Sequence, residues 1–363
     1  MKIFTKYLFA AVILVATQAC NVAGVASVEV NALTVEGRDT ILGSDIVKPR
    51  LSWKIQSTAR DLVQESYRVL VASSLQNLKK DIGDIWDSQT IQSDSSLNVF
   101  FDGKPLTSYQ SCYWKVQVKT NQGDAVWSKP AYWTMGLLDS SDWKAQWIGL
   151  DGFNEHDQPD STFTRLSARY LRKEFGLQKK IESATAFISG VGLYELYVNG
   201  KKAGNDVLTP TVSEYNKKIL YNTYDVTSLV KQGQNCIGVI LGNGRYFGMR
   251  NYHGKPDPLT QIPQMHYGLP RLILQVRVVF NDGSTAFINT DKQWKVTDDG
   301  PIIANNEFDG EEYDATKEMN GWNKIGYNDK AWKPVNLMPP SATRLESQPN
   351  ENIRIKEVLK PIK

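Results

Sequence analysis

The chain has 363 residues, enough for two or three domains that each bury their own core. Its 42 Lys and Arg against 39 Asp and Glu leave a net charge of +3 with the signs interspersed. No basic run appears, so nucleic-acid binding has no electrostatic support. Three His and no closely paired cysteines argue against a zinc site, and the 10 Trp and 16 Tyr suit aromatic cores in β-sandwich modules.

The first 20 residues read as an export signal. Lys2 and Lys6 form a positive start, and residues 7–16 are an apolar run too short to span a bilayer. Ala19-Cys20 resembles a bacterial lipoprotein cleavage site, with Thr17 standing where Leu is usual. Lipidation of Cys20 is therefore expected, tethering an exported chain to a membrane of the periplasm or outer membrane. The other reading is an ordinary cleaved signal.

Residues 27–138 read as a small all-β module. Strands are expected at 50–55, 67–72 and 112–118, the last alternating strictly, with Tyr113, Lys115 and Gln117 opposite Trp114, Val116 and Val118. The order is similar to a fibronectin type III-like sandwich, which assigns the aromatic residues to the core. Cys112 and Cys236 fall in different modules, each in an apolar strand pattern, and are expected to be buried free thiols. Residues 139–167 read as a connector, with a polar loop at 152–161.

Residues 168–338 read as a second, jelly-roll-like sandwich of the kind that binds carbohydrate. Strands are expected at 193–198, 221–226, 235–241 and 272–280, with Asn199-Gly200 and Asn281-Asp282-Gly283 as hairpin turns. The pattern breaks at Gly242-Asn243-Gly244-Arg245-Tyr246. Asn243, Arg245 and Tyr246 combine planar hydrogen bonding with a stacking face, the chemistry a sugar ring requires. The interval from Arg245 to Pro270 holds Pro256, Pro258 and Pro263 within it and is too long and irregular for a plain connection. Gly242-Asn243-Gly244 lacks a following helix and lysine, so it is no phosphate loop, and no Ser-His-Asp constellation is evident.

An acidic stretch follows at 305–315, Asn-Asn-Glu-Phe-Asp-Gly-Glu-Glu-Tyr-Asp-Ala. Extended from Asn306, it places Glu307, Asp309 and Glu311 on one face, with neighbouring carboxylates roughly 7 Å apart. That separation lies in the range of inverting glycosidases. Catalysis by Glu307 and Glu311 is thus geometrically allowed, beside sugar binding by Asn306, Glu307 and Glu311 or cation binding by the acidic stretch, and a plain solvated or structural turn. Residues 339–363 open on Pro339-Pro340, a linker signal, and 352–358 alternate as a strand that would begin a following domain.

Several motifs occur in a familiar order: Trp143-Lys144-Ala145-Gln146-Trp147-Ile148-Gly149, Leu171-Arg172-Lys173-Glu174-Phe175, the 190–248 block and the Asn305-Asn306-Glu307 motif. From about Val28 onward the chain resembles the N-terminal region of bacterial α-L-rhamnosidases of glycoside hydrolase family 78. Two departures stand out. Pro210-Thr211-Val212-Ser213-Glu214-Tyr215 replaces a usual Pro-Gly-Trp-Thr-x-Tyr, and Arg245 stands where a Trp is frequent.

The resemblance implies that an (α/α)6 barrel elsewhere carries the catalytic acid and base, so no catalytic residue is assigned here. It implies a partner glycan containing rhamnose, and a sandwich that in some members uses calcium. Asn205 and Asp206, with Asn251 and Pro256 of the long loop, are the candidate oxygen ligands. Three functions follow as expectations: modules that bind or position rhamnosides for a C-terminal hydrolase domain, a purely structural scaffold for that domain, or a stand-alone carbohydrate-binding protein.

Overall fold

The computed structural model describes residues 27–123, 125–159, 164–248, 267–340 and 344–362. Among them the chain is nearly all β, with a single α-helix at Leu75–Lys79. Ser74 starts that helix, its side chain accepting from the Asn77 N–H.

In the first module, Val28–Val35, Arg50–Ser57 and Val99–Phe100 form one sheet. The facing sheet runs Ile41–Ser44, Ala131–Met135, Ser111–Thr120, Gln64–Ala72, Trp86–Asp87. Trp53, Trp114, Trp133 and Phe101 fill the space between, all buried. Each such side chain contributes about 1.5–3 kcal/mol by leaving water. Trp53 keeps its indole N–H bonded to Gln64 Oε1 at 3.0 Å.

The expected alternation at 112–118 holds only in part, because Lys115 is buried too. Its outer face is covered by a second cluster of Leu70, Ala72, Leu78, Tyr113 and Trp127. The Lys115 ammonium sits 4.4 Å from the centre of the Trp127 ring and pairs with Asp81, so a long stem lies under cover while its charge is met.

The second module packs two larger sheets. One is ordered Asn336–Leu337, Ile148–Gly149, Arg271–Phe280, Ile181–Val191, Ile219–Asp225, Leu345–Ser347. The other is ordered Lys201–Lys202, Leu193–Val198, Gly233–Gly242, Arg169–Leu177, Lys295–Thr297, Lys333–Pro334. Leu171, Ile188, Leu196, Val239, Leu274 and Trp294 meet between them. Asn199 and Gly200 both take positive φ, 51° and 83°, closing the two-residue turn read from the sequence. Cys112 and Cys236 are buried and unpaired.

The alternating pattern at 352–358 gives a strand only at Ile353–Arg354. That strand pairs antiparallel with Asp206–Val207 in a separate two-stranded ribbon, so this part of the segment returns to the second module.

The two modules meet closely. Gly43, at φ +71°, lies so near the second module that a Cβ there would stand 1.9 Å from Thr223 Oγ1. The Leu137 N–H donates to the Tyr221 hydroxyl at 2.9 Å, and burial pushes that phenol's pKa upward. Gln275 Nε2 reaches Tyr109 Oη at 3.0 Å, and the Ser347 N–H reaches Asp45 Oδ2 at 2.9 Å.

Candidate functional site

At one end of the second module the strand Gly233–Gly242 runs into the Asn243–Gly244 turn, and the hairpin Ile302–Asn306 with Gly310–Tyr313 docks onto it. The expectation of one extended strand from Asn306 is corrected here. Asn306 Oδ1 accepts from the N–H groups of Phe308 at 2.8 Å and Asp309 at 2.9 Å, capping a turn, and Gly310 supplies the φ of +81° that completes it. Glu307 and Glu311 therefore stand in the turn and on the returning arm rather than in line along one strand. The Glu307 N–H donates to Gly244 O at 3.2 Å, tying turn to turn.

Behind this junction lies a cavity of about 960 Å³. Arg245, Asn306, Glu307 and Glu311, four of the six residues expected to contact sugar, line it together. Arg245 Nε lies 3.2 Å from Glu307 Oε2, within ion-pair distance but without hydrogen-bond alignment. The guanidinium also lies over the Phe308 ring, 5.1 Å from its centre. The pair is partly exposed.

Asn306 is 7 % exposed, and its Nδ2 has no hydrogen-bond partner; nor does Asn305 Nδ2. A buried donor left unpaired costs about 1–3 kcal/mol, which a ligand acceptor would recover. Glu195 is less available, since Lys202 and the Tyr197 hydroxyl take its two oxygens.

Asn243 and Tyr246 are placed differently from the sequence expectation. Asn243 is buried, and its Nδ2 holds Leu166 O at 2.7 Å and Asn305 O at 2.8 Å. Its backbone N–H bonds Asn305 Oδ1 at 2.7 Å, so it locks the two loops together. Tyr246 packs edge-on against Tyr215 at 5.2 Å and stacks with Tyr267 at 5.8 Å, and its hydroxyl accepts from Arg271 at 3.1 Å. Burial, reinforced by the Glu307 charge, pushes the Tyr215 hydroxyl up to about 12. Both residues shape the site from behind.

Sequence reasoning missed the apolar wall of the cavity, formed by Leu208, Val212 and Ile353. They come from separate parts of the chain and carry no local pattern. Leu208 alone had a structural oddity, a positive φ of 54° in a non-glycine residue.

Asp206 lies on the other side of that wall. Its carboxylate accepts from Arg354 Nε at 3.0 Å and Asn352 Nδ2 at 2.7 Å. A guanidinium thus already supplies the positive charge, and the described donors do not fit a calcium ion, which takes six to eight oxygen ligands. Among the described residues no group of three or more His, Cys, Asp or Glu is placed to hold a metal. Asn205 is exposed beside Asp206, while Asn251, Pro256 and Cys20 lie outside the described residues.

Residues 179–357 match the family described as "Alpha-L-rhamnosidase N-terminal domain", and residues 30–139 match "Rha78A-like, N-terminal immunoglobulin domain". An α-L-rhamnosidase of Formosa agariphila is 33% identical over 338 residues, which is 89% of this chain and 35% of that protein. One from Alteromonas sp. is 34% identical over 308 residues, covering 83% of this chain and 32% of its own length. The chain thus spans about a third of the length of these relatives. Among solved structures, the α-L-rhamnosidase from Dictyoglumus thermophilum superposes with a TM-score of 0.81 at 35% identity, over 92% of this chain and 37% of that one. The enzyme from Aspergillus terreus gives 0.74 at 30% identity, over 88% and 35%.

Proposed function

The chain carries the immunoglobulin-like and rhamnosidase N-terminal domains of the α-L-rhamnosidases, and from that premise we propose that it serves the hydrolysis of terminal α-L-rhamnosyl residues by binding the glycan. The sandwich cavity takes the rhamnosyl group, and the chemistry belongs to a separate catalytic domain. One observation carries this reading: Asn306, whose Nδ2 has no partner, lines a large cavity beside the partly exposed Arg245–Glu307 pair. The amide donates to a sugar oxygen, Glu307 and Glu311 accept from hydroxyls, and Arg245 offers further donors. Leu208, Val212 and Ile353 meet the apolar face of the ring.

Calorimetric titration with L-rhamnose tests it. Saturable binding that a chelator leaves unchanged is expected, because the described donors do not call for a metal. No heat at millimolar sugar, with or without chelator, sinks the proposal. Turnover of an aryl rhamnoside by this chain, abolished in Glu311→Gln, would instead move catalysis to the hairpin.

A scaffold reading has its own support in the close fit of the two modules at Gly43 and Tyr221. It predicts a stable protein that binds no sugar. Export and lipidation at Cys20 complete the proposal, drawn from the charge and length pattern of residues 1–20. Incorporation of labelled fatty acid, lost in Cys20→Ala, tests that part.

A further inference from the structure

The short ribbon of Asp206–Val207 and Ile353–Arg354 has two unlike faces. Val207 and Ile353 point into the cavity just described, while Asp206 and Arg354 point the other way. On that second side lies a cleft of about 490 Å³, lined by Arg38, Asp39 and Thr40 of the first module, by Asn222 to Asp225, and by Gln348, Asn350, Glu351, Asn352 and Arg354.

We infer that this inter-module cleft is a second glycan site, taking a further neutral rhamnosyl residue, an inference that rests on the rhamnoside-binding reading above. The lining excludes other ligand classes. Four carboxylates, Asp39, Asp206, Asp225 and Glu351, face two guanidinium groups, Arg38 and Arg354, which disfavours an anion. A metal ion is disfavoured because Asp206 is taken by Arg354 and Asn352, and Asp225 Oδ1 accepts from the Thr227 N–H at 2.9 Å. The walls are polar throughout except for Leu42 and the tyrosine rings, so an apolar ligand is disfavoured. What remains is an uncharged molecule rich in hydroxyls.

Two atoms await it. Arg38 Nε and Thr223 Oγ1 are buried with no hydrogen-bond partner. Glu36, close by in sequence, cannot serve Arg38 fully, since both its oxygens are engaged by Arg50. Asn205 and Glu351, both exposed at the rim, are placed to meet outer hydroxyls. The cleft needs both modules, so a bound sugar holds them together.

L-rhamnose is titrated calorimetrically into the full chain and into Arg38→Ala, Glu351→Ala and Arg245→Ala. The wild type is expected to show two sites. Arg38→Ala weakens one by at least about tenfold and leaves the other; Glu351→Ala, at an exposed position that does not threaten folding, weakens the same one; Arg245→Ala weakens the other. If Arg38→Ala and Glu351→Ala both titrate as wild type while Arg245→Ala abolishes binding, the second site is overturned and the cavity reading stands. If Arg38→Ala abolishes all binding and Arg245→Ala changes nothing, the cleft is the site and the cavity reading fails. Absence of heat in every titration removes both.

Discussion

Arg169 and Arg245 both face a carboxylate in the second module, and their surroundings give them opposite roles. Arg169 forms a two-pronged pair with Asp157, both contacts at 2.7 Å, with side-chain exposures of 2% and 0%. Ser167 accepts from the same guanidinium through its carbonyl at 2.9 Å and its hydroxyl at 3.0 Å. Asp157 in turn accepts from the Ser167 and Asn154 N–H groups. Everything there is satisfied and sealed. Arg245 meets Glu307 at a 3.2 Å approach, with exposures of 33% and 42%, beside the unpaired Nδ2 of Asn306. A closed, satisfied pair holds a fold in one arrangement, whereas an open, under-satisfied one has capacity left for a ligand.

The sharpest way to break that contrast is to remove the sealed arginine. Arg169→Met leaves Asp157 buried and unpaired and is expected to cost about 3–5 kcal/mol, read by urea denaturation. A loss below about 1 kcal/mol, the worth of a surface pair, would place both pairs in one class. At the module junction, Gly43→Ala is expected to cost about 1–3 kcal/mol, from overlap with Thr223 and an alanine held at positive φ. Adding Thr223→Ala should recover only a share of the overlap part, because the Cβ at 223 would still stand 2.6 Å from the new methyl, and a double-mutant cycle measures that share.

Arg245→Ala sharpens the comparison from the other side. Stability should move by less than about 1 kcal/mol, while L-rhamnose affinity falls about tenfold. An equal loss of stability and no change in titration would make Arg245 a scaffold residue.

The smallest effect concerns Asp45, whose carboxyl is pushed above its ordinary 3.8 mainly by burial, against the Ser347 N–H that lowers it. A raised acid pKa favours the protonated form in the folded state. Its contribution to stability is therefore fullest below the ordinary value and declines as pH rises through the folded-state value. Asp45→Asn keeps an acceptor for Ser347 and loses that decline. Relative to wild type, the variant should gain stability between pH 4 and pH 7 in denaturation curves; a constant difference would remove the burial argument.

Local signals in the chain determined much of this protein. Period-two alternation marked the main strands, Asn199-Gly200 demanded its turn, and the ordered motifs pointed to the rhamnosidase N-terminal domains. The loop clusters at 242–246 and 305–315 were also visible, because Gly, Asn and acidic residues cannot continue a core strand. Tertiary structure decided which of those side chains line the cavity. Asn243 and Tyr246 look as polar in sequence as Arg245, yet both are buried and neither lines the cavity. The apolar wall and the polar cleft lie back to back across the Asp206–Val207 and Ile353–Arg354 ribbon, whose strands are far apart in the chain. No local pattern encodes such a meeting, because burial and the pairing of charges depend on neighbours that only the folded chain supplies.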